Sequence, residues 1–408
     1  MKSVLTRQQL YVIFAAGIIM TVVMGVRQTF GLFLVPMTID LDWSRGLFGL
    51  AMALQNLIWG ALQPFVGGLA DRYGAAKVIA SGAIVYAIGI LGMANAVTPI
   101  ELILTGGVLV GIGMSGAGIA VIFGAVSRAV SAENRTYAVA LVSTIGALGP
   151  MLLPVISQTL IGVSGWPFSL MISAIIVLLM VLLVRLFNND GQSVFQESEL
   201  NVREVLREAR LNSGYILLLC GFFVCGFQVT LITTHFPGFI TSEGLSYEAG
   251  AVALTIIGFA NVIGTYLAGE TSKKFRQKHI LSLIYLGRGI VILAMLLLPV
   301  SSWSIYIVSA VLGFLWLATV PLTSGVVSRI FGAKHLGMLF GIVFFSHQVG
   351  AFFGAWLGGQ VFDVTGSYDI AWYIAIILSF TAAFLHWPIK DLPANKFAIS
   401  PMDEKSAT

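Results

Sequence analysis

The chain has 408 residues, of which 58% are hydrophobic and 10% charged, with a mean hydropathy of +0.95 and a formal net charge of +4. A water-soluble fold carries about 25% charged residues, so this chain lacks the polar surface to face water and reads as an integral membrane protein. A soluble enzyme and a nucleic-acid binder are excluded, and the surplus cations inform by position rather than by sum.

Apolar runs long enough to cross a hydrocarbon layer about 30 Å thick recur along the chain. Their spacing predicts twelve helices, over residues 11–36, 45–70, 77–96, 101–126, 136–160, 166–187, 213–239, 247–269, 280–300, 303–328, 336–360 and 370–389. The first is too long for a signal peptide and lacks a small-residue cleavage site, so it is expected to be retained. With twelve crossings both termini share one side. Nineteen of the 22 Lys and Arg then fall on that side, Arg45 alone on the other, and Arg27 and Arg288 inside helices. Loops rich in Lys and Arg stay cytosolic, so both termini are expected in the cytosol of a multi-pass inner (plasma) membrane protein.

The expected fold is all-α, with two six-helix bundles over residues 1–187 and 213–391. A cytosolic linker over 188–212 joins them and a cytosolic tail follows over 392–408. In the linker, Arg203, Arg207 and Arg210 alternate with Glu204 and Glu208, which predicts a short amphipathic helix on the membrane surface.

The ionisable groups inside the membrane carry the most information, because burying one costs at least about 2.5 kcal/mol. Arg27 in the first helix and Arg288 in the ninth have no evident acidic partner at their depth, since all carboxylates fall in loops, tails or helix-end turns. A supplied anion would satisfy them; bonding to backbone carbonyls or snorkelling is the structural alternative for Arg27, and packing for Arg288. Gln28 follows Arg27. Helix 2 carries Gln55, Asn56, Trp59 and Gln63 at helical spacing, a stripe suited to lining a cavity.

The pattern Gly111-x-Gly113-x-x-Gly116 imitates a dinucleotide loop but lies in a membrane helix with no preceding strand. Cys220 and Cys225 sit five apart on one helix and read as packing residues, with neither disulfide nor metal site expected. Helix 7 adds Gln228 and His235. Asn261 and Thr265 share one face of helix 8, and helix 11 carries His347 and Gln348. His347 is the main candidate for proton coupling near neutral pH, or for binding an anion. Polar side chains also join helices to one another, so each of these serves either substrate or packing. No cofactor, metal or enzyme motif is present.

Between helices 2 and 3 the chain reads Gly67-Gly68-Leu69-Ala70-Asp71-Arg72-Tyr73-Gly74, with an acidic-then-basic counterpart, Gly269 to Arg276, after helix 8. Six-plus-six repeats are a device of alternating-access carriers. The Gly67–Val78 segment resembles the cytosolic loop signature of the major facilitator superfamily. That resemblance implies a gating role for Gly67, Asp71, Arg72 and Gly74, which would hold the two halves together at the cytosolic end. Residues Gly25 to Phe33 around Arg27 resemble the first helix of the monocarboxylate transporter family, where a cation meets the substrate carboxylate. The arginine that family carries on helix 8 is matched here by Thr265, and the intramembrane arginine of drug/proton exporters is matched by Gly107. The resemblance implies a carrier of a small organic anion, working as a monomer in lipid and coupled to protons. An exporter of amphipathic drugs or metabolites, an anion exchanger and a transport-inactive sensor are the alternatives.

Overall fold

The structure is a computed structural model that describes residues 5–131, 134–187, 202–332 and 335–392. Among the described residues, ten helices are long and apolar enough to cross a membrane. One of these, Tyr137–Leu186, is 50 residues long and breaks at Gly165, whose φ of 83° is open to glycine and strained for other residues. The Ser169 hydroxyl donates to the Ser157 carbonyl at 3.1 Å across that break, so the two arms lie antiparallel and make two crossings. Arg45–Tyr73 is a further helix of spanning length, more polar because of Gln55, Asn56, Gln63, Asp71 and Arg72.

The crossings are α1 (Arg7–Asp40), α2 (Arg45–Tyr73), α3 (Ala75–Ala94), α4 (Pro99–Ala129), α5 (135–164), α6 (166–186), α7 (Ser213–Ser242), α8 (Tyr247–Ser272), α9 (Gln277–Leu297), α10 (Ser302–Phe331), α11 (Leu336–Thr365) and α12 (Asp369–His386). Several helices outrun the apolar windows because side-chain caps set their ends. Thr6 and Gln9 form a capping box on α1, and Ser44, Asn212 and Ser246 cap α2, α7 and α8. In the linker, Val202–Leu211 is a helix with Val205 and Ala209 buried and Arg203 and Arg207 exposed; residues 188–201 of the expected linker and 393–408 of the tail lie outside the described residues.

Two hydrophobic cores form. One draws on residues 12–187 and Ala355, the other on residues 205–389 and Leu32. At the end that carries the chain termini, the terminal face, each half ties its helix ends with an ion pair. Arg128 at the end of α4 reaches Asp71 at 2.8 Å. The matching Arg329 at the end of α10 reaches Asp391 at 3.4 Å, and Arg276 bonds the same carboxylate. Burial pushes the Asp391 carboxyl up, but the hydrogen bond from Arg276 and the two positive charges outweigh it and hold the group below the ordinary carboxylate range. The sequences Gly124-Ala-Val-Ser-Arg128 and Gly325-Val-Val-Ser-Arg329 mark the same place in the two repeats.

The halves meet at the opposite, distal face and part toward the terminal face. Along α2 and α11, a Cβ at Gly49 would meet the Ala355 carbonyl, and one at Gly60 would meet Gln348; Trp59 packs edge-on against Phe344 at 5.6 Å. One heptad further on, at Gly67 of α2 and Gly341 of α11, a Cβ would meet nothing within 4 Å. The same two helices that are zipped distally are therefore apart terminally. At the distal end the seam is latched by charge: the Asp363 carboxylate accepts from the backbone N–H of Arg45 at 2.9 Å and of Gly46 at 2.7 Å. It thus caps the α2 N-terminus from across the interface, where the helix dipole favours an anion. The Arg45 side chain donates to the Tyr368 hydroxyl at 2.9 Å and lies 3.6 Å over the Phe362 ring. Substituting Asp363→Ala removes this cap and is expected to cost about 1–2 kcal/mol, the range of a lost N-cap, read as a lower Tm of the purified protein.

Candidate functional site

The site lies at mid-depth, where α1, α2 and α7 converge. α1 and α7 approach closely there because Gly31 sits directly on the Thr233 carbonyl, a place with no room for a side chain. Arg27 of α1 is partly buried; its Nη2 donates to Asn56 Oδ1 at 3.0 Å and its guanidinium lies 5.1 Å from the Trp59 ring. Asn56 can present that oxygen because its own amide nitrogen is held by the Met52 carbonyl at 2.8 Å. Gln55 donates at 3.2 Å to the carbonyl of Gly106, inside a π-helical stretch of α4, Ile103–Leu109, whose widened turn leaves a carbonyl to be satisfied.

A small cavity opens against these groups, lined by Arg27, Phe30, Met52, Gln55, Asn56 and three threonines of α7, Thr230, Thr233 and Thr234. It is built by both halves of the protein. Among the described residues Arg27 Nε and Thr230 Oγ1 are buried side-chain atoms without a hydrogen-bond partner. Two such groups on one cavity wall are costly unless something fills it, because an unpaired buried polar atom loses about 1–3 kcal/mol. The Tyr86 hydroxyl of α3, within electrostatic range of Arg27, is likewise unpaired.

A hydrogen-bonded path leads from Arg27 into the second half. Gln348 of α11 donates through Nε2 to the backbone carbonyl of Asn56 at 3.0 Å. With its nitrogen so committed, Gln348 offers Oε1 as an acceptor, and His347 Nδ1 lies 2.9 Å from it, so the histidine donates from Nδ1. His347 is buried and lies between Phe344, ring-stacked at 5.7 Å, and Phe222 at 5.0 Å.

The remaining expected residues sit elsewhere. Gln28 is buried in α1 and does not line the cavity. Arg288 of α9 is 2% exposed and lies away from the cavity, donating to the carbonyls of Leu315 and Trp316, where α10 is broken, and to Gln228 Oε1 at 3.4 Å. Asn261 accepts from Leu317 N at 2.9 Å in the same break and from Thr265 at 3.3 Å, so the α8 pair that shares a face also serves α10. Gln228 donates to Ala375 O at 3.1 Å and to Ser379. Among the expected gating residues, Asp71 pairs with Arg128, Arg72 lies 5.2 Å from the ring of its neighbour Tyr73, Gly74 ends α2 with φ 91°, and Gly67 faces open space. His235 is buried and bonded to Ala355 O at 2.6 Å. Sequence reading missed the threonines of α7, whose signal was three hydroxyls at i, i+3 and i+4, hidden because threonine passes for apolar in a membrane helix. It also missed Asp363 and Tyr368, which face the lone distal cation.

Two six-helix halves around a polar cavity at mid-depth define a polytopic membrane transporter. Residues 16–328 match the family model of the Major Facilitator Superfamily, and the chain belongs to that family. The transporter YcxA of Bacillus subtilis (strain 168) is 25% identical over 364 residues, 86% of this chain and 88% of that one. The oxalate:formate antiporter of Oxalobacter formigenes is 22% identical over 382 residues, 90% and 88% of the two chains. Monocarboxylate transporter 12 of Xenopus laevis is 24% identical over 168 residues, 40% of this chain and 36% of that one; other relatives are named as efflux or multidrug-resistance proteins. Among solved structures, a mutant of the nucleoside transporter NupG superposes with a TM-score of 0.77 at 13% identity, covering 94% of this chain and all of that one, which shows the fold alone.

The Arg27 environment makes its own prediction. Replacing Asn56→Leu removes the acceptor and leaves a buried guanidinium with a further unpaired N–H, and is expected to destabilise the protein by about 2–3 kcal/mol. Arg27→Gln, which removes the charge itself, is expected to cost less. Both are read by thermal unfolding in the same detergent.

Proposed function

We propose that the protein moves a small organic anion of monocarboxylate type by alternating access, coupled to protons. The observation that carries this reading is Arg27: a cation in a cavity built by both halves, with a free Nε edge, an unpaired Thr230 hydroxyl beside it, and no carboxylate paired with it among the described residues. A guanidinium edge takes a carboxylate by two parallel hydrogen bonds, and a threonine hydroxyl donates to a second oxygen. The full-length match to a protein named as an oxalate:formate antiporter agrees in substrate chemistry.

The terminal face is cytosolic on this reading, by its surplus of Lys and Arg, in the inner (plasma) membrane. The halves described here are open to that side and latched distally. The anion reaches Arg27 from the cytosolic cavity or leaves by it, and the opposite state forms when the Asp363 latch releases and the α2–α11 seam closes at Gly67. Asp71 and Arg72 then hold the cytosolic end of the two halves together. His347 carries the proton, since Asn56 and Gln348 link its ring to Arg27. One chain suffices as the functional unit. Exchange of one anion for another is the second reading, favoured by the antiporter match.

The test is thermal stabilisation of the purified protein by small mono- and dicarboxylates, sulfonates, neutral sugars and cationic drugs, repeated on Arg27→Gln. A ligand at a hundred times its Kd raises stability by about 2.7 kcal/mol. Carboxylates are expected to raise the Tm of the parent and not of Arg27→Gln; stabilisation only by neutral or cationic amphiphiles, indifferent to Arg27, would overturn the reading in favour of an exporter. In proteoliposomes, uptake driven by a pH gradient separates proton symport from exchange, which needs anion on both sides.

A further inference from the structure

Behind the Asp363 latch, one turn deeper into the membrane, α7 places a histidine at the seam between the halves. His235 is fully buried, and its Nε2 donates to the Ala355 carbonyl of α11 at 2.6 Å, since a carbonyl can only accept. The ring fills the gap between three other helices. A Cβ at Gly49 of α2 would lie 3.5 Å from Cε1, one at Gly358 of α11 would lie 2.5 Å from Cδ2, and the Tyr368 ring at the start of α12 is 5.5 Å away. Gly49 belongs to the first half of the protein and the other contacts to the second.

The second ring nitrogen is unsatisfied. Nδ1 is buried and has no hydrogen-bond partner among the described residues. In the neutral ring it is a lone pair without a donor, and in the charged ring it becomes an N–H without an acceptor. The surrounding charges are committed elsewhere. α2 presents Arg45, a like charge, whose Nη1 bonds the Gly238 carbonyl one turn along α7 and the Tyr368 hydroxyl. Both oxygens of Asp363 on α11 accept from backbone N–H groups of α2. Asp40 of α1 accepts from Trp166, while Glu243 after α7, Tyr247 and Glu248 in the first turn of α8 and Asp369 in the first turn of α12 are exposed.

We propose that His235 is a proton-binding site of the distal seam, unprotonated at Nδ1 while the halves are latched and protonated there when they part. As the seam opens, water from the distal side reaches the ring. A hydronium ion gives its proton to Nδ1, an N–H bond forms and water is left. The imidazolium then resists reclosure, because closing strips it of water with one N–H unpaired and Arg45 nearby. Return of the proton to water reverses the step and lets the seam shut. The open state therefore binds more protons than the latched one, and acid favours it. Below the ordinary histidine pKa of about 6.5, the ratio of open to latched molecules rises about tenfold per pH unit. The site is separate from His347, which is held at mid-depth between Phe344 and Phe222. This role rests on the release of the latch proposed above and is independent of which anion is carried.

The experiment measures distal opening as the distance between spin labels on Val163→Cys, at the α5–α6 turn, and Trp303→Cys, at the start of α10. Both positions are exposed, one in each half, and the background is Cys220→Ser/Cys225→Ala. The protein is held in detergent without anion at about pH 7.5 and about pH 5.5, a range above carboxylate titration. The ratio of long to short distances is expected to rise about tenfold on acidification; distances that do not change overturn the proposal. His235→Gln keeps an Nε2 donor for Ala355 but takes no proton, so its distances are expected to be the same at both pH values, and a retained rise overturns the assignment. His347→Gln is expected to keep the rise, and its loss there moves the proton to His347 and overturns the role of His235. With neither anion nor pH gradient present, a missing pH response and a failure of carboxylates to bind at Arg27 are separate results.

Discussion

Two guanidinium groups held at mid-depth, with no carboxylate paired to either among the described residues, are the constraint around which this protein is organised. Hydrocarbon offers no solvent for a charge, and each polar group inside the membrane must find a partner within the fold or in something the fold admits. The two arginines meet this demand differently. Arg288 is enclosed by carbonyls of the broken α10, by Gln228 and by Cys225, and the α10 break itself is held by Arg288 and Asn261. Arg27 has one firm partner, Asn56, and faces a cavity. One arginine organises the second half and the other borders a cavity between the halves.

Hydrogen bonds link the Arg27 site to the second half. Asn56 binds Arg27 with its side chain and Gln348 with its backbone, and Gln348 orients His347, which packs between Phe222 and Phe344. Since Asn56 belongs to the first half and Gln348 to the second, the path crosses the seam between the parts that must move. These hydrogen bonds help to hold the seam at mid-depth.

The two faces of the seam are built on different principles. Distally, an α2 N-terminus is capped across the interface by Asp363 and an arginine is held by an aromatic pair, contacts that join the two halves. Terminally, Asp71 and Asp391 tie helix ends within their own halves, so those ends move as units. The repeat is visible in Arg128 and Arg329, yet the carboxylate comes from the last turn of α2 in the first half and from the segment after α12 in the second.

By itself the sequence determined the membrane character, the spans and the side on which the cations gather, because these depend on composition along a helix and on local capping, which neighbours in the chain decide. It also singled out Arg27, Arg288, Asn56 and His347, since a charge or amide in an apolar run is conspicuous wherever it points. Only the tertiary structure decided which of them face the cavity, because twelve helices can each rotate about their axes at little cost to the pattern. That rotation put Arg288 against the α10 backbone, Asn261 on the same break, and Thr230, Thr233 and Thr234 beside Arg27. It likewise brought Arg45 to Asp363, more than three hundred residues away in the chain, a pairing that close helix packing alone creates.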